Sequence, residues 1–252
     1  MKSPLAKPLS TKECAMYDFQ KAQRLIGYTF NNPDLLREAL MHRSFATEHN
    51  IKYDNQRLEF LGDAVLQIIL TEYLFKRYPE LAEGDLTKIR SALANQSALA
   101  QLALRLDLGN ALMLGHGEQE TGGRTRESTL SDTMEAVLGA IMLDSDLETA
   151  RQFYLKLLAE TVPEPARMLR DLNPKGLLQE FTQSRFGCQP EYRLLSVSGP
   201  DHSPVFRVEV CVQGEVVTTA SANKRKTAEG LAAHDALNIL HEREKEKESA
   251  AR

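Results

Sequence analysis

Asn55-Gln56-Arg57-Leu58-Glu59-Phe60-Leu61-Gly62-Asp63-Ala64-Val65-Leu66 sets acidic side chains inside a strongly apolar helical pattern. Leu58, Leu61, Val65 and Ile68 recur at helical spacing, which predicts the buried face of a helix in a helical domain. Glu59 and Asp63 stand one turn apart on an adjoining face. Two carboxylates so placed repel by roughly 0.2–0.5 kcal/mol on an exposed helix, and by more where water is excluded. No Lys or Arg occupies the next turn of that face, so the offsetting charge is a basic group from elsewhere or a bound cation.

Ser131-Asp132-Thr133-Met134-Glu135-Ala136-Val137-Leu138-Gly139-Ala140-Ile141-Met142 has the same character. Ser131 reads as an N-cap, with Val137, Leu138 and Ile141 continuing an apolar helix. Asp132 and Glu135 share a face near its start, where acidic residues ordinarily do no more than partner the helix dipole. Two facing helices that bring Glu59, Asp63, Asp132 and Glu135 together would instead form an all-oxygen site suited to Mg²⁺ or Mn²⁺.

Outward from these helices, Phe19, Ala22, Leu25 and Ile26 predict a helix beginning near Tyr17, and Asn32-Pro33 opens another through Leu35, Leu36, Ala39 and Leu40. His42 and Arg43 read as a helix C-terminus favoured by positive charge. Gly84-Asp85 reads as a turn and N-cap, and Ile89 to Leu106 as long helical segments. Residues 115–127 read as a polar loop whose Arg124 and Arg126, beside a carboxylate site, have the chemistry to hold a phosphate. Leu147 to Leu158 predicts one more amphipathic helix before two prolines, Pro163 and Pro165.

Composition changes after Pro174. From Gly176 the pattern is helix, three strands, helix, with Leu177, Leu178 and Phe181 on the first helix. Phe206, Val208, Val210 and Val212 alternate with Arg207, Glu209 and Cys211 as a half-buried strand. Gln213-Gly214 makes a hairpin turn, and Leu231, Ala232, Leu237 and Leu240 pattern the closing helix. Lys224-Arg225-Lys226 falls at the start of that helix, where outward backbone N–H groups and basic side chains suit a phosphate.

The chain has 252 residues, room for two domains, and a formal net charge of −4 that argues against non-specific coating of nucleic acid while leaving local basic patches open. Cys14, Cys188 and Cys211 are odd in number and lack CxxC spacing, which fits a reduced cytoplasmic compartment. The N-terminus has no apolar core of signal-peptide length and no run approaches a membrane span, so a soluble intracellular protein with no membrane partner is expected. The expected plan is an N-terminal extension over 1–14, an all-α domain over 15–160, a linker over 161–172, an α-β-β-β-α domain of α+β class over 173–242, and a charged tail over 243–252.

Residues 56–66 closely resemble the signature of bacterial ribonuclease III, and Glu83-Gly84-Asp85, Arg126-Glu127-Ser128 and Asp132-Thr133-Met134-Glu135-Ala136 follow in that family's order and spacing. Residues 173–240 resemble its double-stranded-RNA-binding domain. The resemblance implies a homodimeric endonuclease domain in which Glu59, Asp63, Asp132 and Glu135 gather around Mg²⁺, with Mn²⁺ as a substitute. Glu59, Asp132 and Glu135 would be direct ligands, and Asp63 would bind metal or orient the attacking water, serving catalysis with Glu135. Gln56 and Glu83 would be accessory. It further implies hydrolysis of double-stranded RNA to 5′-phosphate and 3′-hydroxyl ends in ribosomal and other structured precursors. Gln179, Gln183 and His202 would contact minor grooves, and Lys224, Arg225 and Lys226 the intervening phosphates. The family usually has Glu where this chain has Gln56, so the acidic cluster carries one charge fewer. Ala220 and Ala222 replace common glycines, and Lys224 a frequent Ser. Neither acidic helix carries the Glu-x-x-His spacing of helical di-metal oxidoreductases, and the intact carboxylates argue against a non-catalytic RNA-binding regulator.

Overall fold

The computed structural model describes residues 18–200 and 202–250. The expected 1–14 extension, Cys14, Tyr17 and Asp201 lie outside the described residues. After Glu164 the chain divides into two compact units.

The first unit is helical throughout. Its elements are α1 (Phe19–Ile26), α2 (Pro33–Ala39), α3 (Arg43–Glu48), α4 (Gln56–Arg77), α5 (Glu83–Leu93), α6 (Gln96–Arg105), α7 (Leu108–Ala111), α8 (His116–Glu120), α9 (Glu127–Asp144) and α10 (Leu147–Thr161). Helix α9 is the core of the unit: Leu130, Met134, Val137, Leu138 and Ile141 are buried, and so are Thr129, Ser131 and Thr133. A helix covered nearly all round needs neighbours on several sides, and α4, α6 and α2 pack against it. Its end is held by Asp144, which accepts the backbone N–H groups of Asn31 and Asn32 at 2.7 Å each and the Tyr28 hydroxyl at 2.8 Å.

Several local expectations are corrected. Helix α9 starts at Glu127, so Ser131 is a buried interior residue rather than an N-cap. Asp132 and Glu135 therefore lie beyond the first turn, where the dipole offers them little. His42 does not end a helix: α2 closes at Ala39, and His42 caps the start of α3 with its ring nitrogen on the Ser44 N–H. Helix α5 begins at Glu83 without a side-chain cap, and Asp85 is buried in its first turn against Lys88 at 3.0 Å. The polar segment 115–127 contains the short helix α8. On α4 the buried face is Leu58, Gly62, Val65, Leu66, Ile69, Leu70 and Leu74, while Ile68 is exposed.

The second unit begins with a 3₁₀ turn (Pro165–Met168) and α11 (Leu169–Leu172), so the segment expected as a linker carries structure of its own. It continues as α12 (Pro174–Phe186), β1 (Glu191–Ser198), β2 (Val205–Val212), β3 (Glu215–Ala222) and α13 (Arg225–Ala250). The three strands form one antiparallel sheet in the order β1-β2-β3. Gln213 and Gly214 both have positive φ, 54° and 82°, as a tight hairpin between β2 and β3 requires. The inward residues Val210 and Val212 pack with Leu178 of α12 and Ala232, Ala236, Leu237 and Leu240 of α13. Leu231 is exposed, contrary to its expected core position, and Cys211 is buried although it alternates with the inward residues. The expected charged tail continues α13 as helix through Ala250. Among the described residues no helix is long and apolar enough to cross a membrane.

Candidate active site and nucleic-acid interface

Two glycines set the geometry of the acidic site. A methyl group at Gly62 of α4 would run into the backbone carbonyl of Glu135, and one at Gly139 of α9 into the carbonyl of Leu58. The two helices thus cross in backbone contact, which only residues without a side chain allow, and the crossing sets Glu59 and Asp63 against Asp132 and Glu135. Glycine inside a helix costs about 1 kcal/mol relative to alanine, so the pair is intelligible only as a device for close approach. Mid-helix glycines in both acidic stretches were the sequence signal for this crossing.

The electrostatics follow from that closeness. Glu135 is half-buried, and its carboxyl is pushed up to about 7, first by burial and then by the charges of Asp63, Glu59 and Asp132. Glu59 is raised by burial, then by Asp132, Asp54 and Asp63. Asp132 is raised by burial and eased by His42. Asp63 is exposed. Asp54, which adds to the load on Glu59, was not singled out from the sequence.

As they stand, no three His, Cys, Asp or Glu side chains among the described residues converge closely enough to hold one ion. The donor set nonetheless suits a hard divalent cation: it is all carboxylate oxygen, half-exposed, and the neighbouring carboxylates drive Glu135 and Glu59 towards protonation, a penalty that a bound cation would remove. Gln56 is exposed at the start of α4, with its backbone N–H donating to Asp54 Oδ1 at 3.1 Å. Glu83 is exposed on α5, accepts the Thr87 hydroxyl at 3.0 Å, and is not among the groups acting on the four carboxylates.

Beside the carboxylates lies a cavity of about 480 Å³, lined among others by His42, Arg43, Asn55, Gln56, Glu59 and Asp132. Arg124 and Arg126 turn elsewhere. Arg124 donates to the carbonyls of Gly109 at 2.8 Å and Leu112 at 3.0 Å, and to Gln119 at 3.2 Å. Arg126 pairs with Glu118 and reaches the Thr121 carbonyl at 3.3 Å. Their guanidinium donors tie the 115–127 segment together and to the carbonyls of Gly109 and Leu112 before it, which the sequence could not distinguish from phosphate binding because several of the acceptors are backbone carbonyls.

In the second unit Gln179 and Gln183 are exposed one turn apart on α12, and His202 is exposed between β1 and β2. Lys224 and Lys226 are exposed at the start of α13. Arg225 differs from them: its Nε donates to Glu229 at 2.9 Å, and the same carboxylate takes Lys175 Nζ at 2.8 Å, which holds Glu229 below the usual carboxylate range. Lys175 in turn sits over the Tyr192 ring, 4.3 Å from its centroid.

Residues 32–162 match the family model described as Ribonuclease-III-like, and residues 174–240 match the double-stranded RNA binding motif. A relative named Ribonuclease 3 from Nitratiruptor sp. is 43% identical over 230 residues, covering 90% of this chain and 99% of its own length. Another of that name, from Wolinella succinogenes, is 42% identical over 238 residues, covering 93% and 98%. Among solved structures, the nuclease domain of ribonuclease III from Campylobacter jejuni superposes with a TM-score of 0.54 at 41% identity, covering 57% of this chain and 96% of that one. A second structure of that domain, described as flexible in the region involved in dimer formation, gives 0.56 at 40% identity, covering 58% and 100%.

Proposed function

The chain belongs to the ribonuclease III family and is an endoribonuclease of double-stranded RNA; from that premise we propose that it works by divalent-metal-dependent hydrolysis, leaving 5′-phosphate and 3′-hydroxyl ends. The observation that carries the proposal is the crossing of α4 and α9 at Gly62 and Gly139, which brings Glu59, Asp63, Asp132 and Glu135 to one seam, where burial and neighbouring carboxylates raise the proton affinity of Glu135 and Glu59. Mg²⁺, with Mn²⁺ as a substitute, would be held by Glu59, Asp132 and Glu135 and, when bound, would supply a more nucleophilic water and a counter-charge for the leaving oxygen. Asp63, exposed at the edge of the set, orients the attacking water or completes the ligands. Gln56, offering a neutral oxygen, leaves the set one charge less acidic than a glutamate would.

Duplex RNA hides its base edges in a deep, narrow groove, so it is read by shape, 2′-hydroxyls and phosphates. In this proposal Gln179, Gln183 and His202 meet the minor grooves and Lys224 and Lys226 the phosphates, with Arg225 shared between phosphate and Glu229. The active form is a homodimer through α4. Phe60, Ile68 and Phe75 repeat along one side of that helix at 81%, 53% and 71% exposure, an apolar stripe whose natural cover is a second copy of the same surface. Two centres then make two staggered cuts, and ribosomal precursors and other structured transcripts in the cytoplasm are the substrates.

The test is end-mapping of products from a defined hairpin with Mg²⁺ and with chelator. Staggered cuts with 5′-phosphates, lost on chelation, are expected. Duplex binding without cleavage at any Mg²⁺ or Mn²⁺ concentration would reduce the chain to a non-catalytic RNA binder.

A further inference from the structure

The cavity beside the carboxylates is lined by hydrogen-bond donors that the protein itself leaves without acceptors. His42 Nδ1 accepts the Ser44 backbone N–H at 3.2 Å, and an acceptor nitrogen carries no proton, so the ring N–H is at Nε2. The ring is fixed in that setting because Ser44 Oγ lies 2.8 Å from Nδ1 and also accepts the Gly115 N–H at 2.9 Å. No described residue accepts from Nε2. Arg43, the next residue, has neither an ion pair nor a side-chain hydrogen bond among the described residues. Asn55 is only 3% exposed, and its amide nitrogen is buried without a partner. Leaving a buried donor such as the Asn55 amide unmet costs about 1–3 kcal/mol, and with the half-buried His42 and the exposed Arg43 beside it the donors converge on a place suited to acceptor oxygens of a ligand.

Resting on the nuclease reading above, we propose that this cavity is the subsite for a backbone phosphate of the cut strand next to the scissile linkage. Arg43 meets a non-bridging oxygen, and His42 Nε2–H and the Asn55 amide donate to the same sugar-phosphate unit. Glu59 and Asp132 line the same cavity, so a strand seated there carries the adjoining phosphodiester to the carboxylates. An anion beside acidic groups is tolerable once a cation neutralises them, and that orders the site: the carboxylates take the cation, and the donor side takes the phosphate. Arginine is the appropriate residue for this, since its fork matches two phosphate oxygens at once.

The test uses the full chain and a hairpin in which single phosphates flanking the cut are replaced by uncharged methylphosphonates. Binding is measured in Ca²⁺, with the absence of cleavage checked on a gel, and single-turnover cleavage in Mg²⁺. Arg43→Ala is expected to lower affinity about tenfold and to reduce the slope of log affinity against log salt by about 0.9, the value of one phosphate contact. Arg43→Lys keeps the slope. At one flanking position the methylphosphonate should cost the wild-type chain as much as Arg43→Ala does and cost that variant nothing further. His42→Asn, which retains a good N-cap for α3 but no longer reaches the cavity, should weaken binding without changing the slope. Unaltered affinity and slope in Arg43→Ala, or methylphosphonate losses that add to its loss at every flanking position, would overturn the subsite. Because binding is read without cleavage, a wild-type chain that binds but never cuts would refute the nuclease reading separately.

Discussion

Replacing Glu135 by Gln should make the chain more stable at pH 8 while abolishing cleavage. A carboxyl moved from an ordinary 4.5 to about 7 is about 3 kcal/mol harder to ionise in the folded chain than in the unfolded one. Glu135 is only half-buried and part of a coupled set, so screening by solvent brings the effect to about 1–2 kcal/mol. The sign follows from a folded-state value above the unfolded one: the stability that Glu135 contributes is complete below about pH 4.5 and is lost as pH rises through 7. The wild-type chain therefore loses about 1–2 kcal/mol between pH 4.5 and 8 that the Gln variant keeps. For a unit of this size that is about 2–8 °C in melting temperature. Calorimetry of both proteins in chelator at the two pH values measures it, following the transition of the helical unit. Mg²⁺ should then reverse the order at pH 8, stabilising the wild type more than the variant by mass action. Equal melting temperatures at pH 8 in chelator, or the same gain at pH 4.5 as at pH 8, would refute the raised proton affinity that burial and the neighbouring carboxylates give Glu135.

Gly62→Ala gains about 1 kcal/mol of helix propensity but drives a methyl into the Glu135 backbone. A net loss of about 1–3 kcal/mol and a fall in cleavage are expected from melting and kinetics, and a variant of wild-type stability and rate would mean the helices do not cross there. Neutralising Lys224 and Lys226 together should lower the salt slope of duplex binding by about 2, against less than about 1 for Arg225→Ala because Glu229 shares that side chain; a larger loss for Arg225→Ala than for either lysine would contradict the assignment. Phe60→Asp should convert a dimer to a monomer in sedimentation, whereas an unchanged mass would place the subunit interface off the exposed stripe of α4.

How far the sequence could be read depended on the range of the interaction concerned. The apolar repeat through Leu58, Val65 and Ile69 and the alternation through Val208, Val210 and Val212 specify helix and strand because burial of one face is a local periodicity. The acidic pairs Glu59/Asp63 and Asp132/Glu135 were visible for the same reason: carboxylates inside an apolar helix are anomalous wherever they occur. Boundaries were less legible. Ser131 has the chemistry of an N-cap, but α9 begins a turn earlier because packing on every side extends the helix past its propensity signals. His42 looked like a helix end and is a helix start, since a ring nitrogen caps a backbone N–H as readily as a positive charge answers a dipole.

The sequence by itself determined the two units, their classes, the four carboxylates and the basic start of the closing helix, since each rests on residue types at short spacing. Only the tertiary structure decided which face of α4 is covered and that Ile68 lies with Phe60 on the open side. It alone brought Gly62 against Glu135 and Gly139 against Leu58, and it alone set His42 Nε2, the Arg43 guanidinium and the Asn55 amide beside one cavity with no hydrogen-bond partner among the described residues. These are consequences of how two helices cross, and a crossing joins residues more than seventy positions apart. No periodicity along the chain encodes that geometry, because it depends on the backbone separation that the two glycines permit.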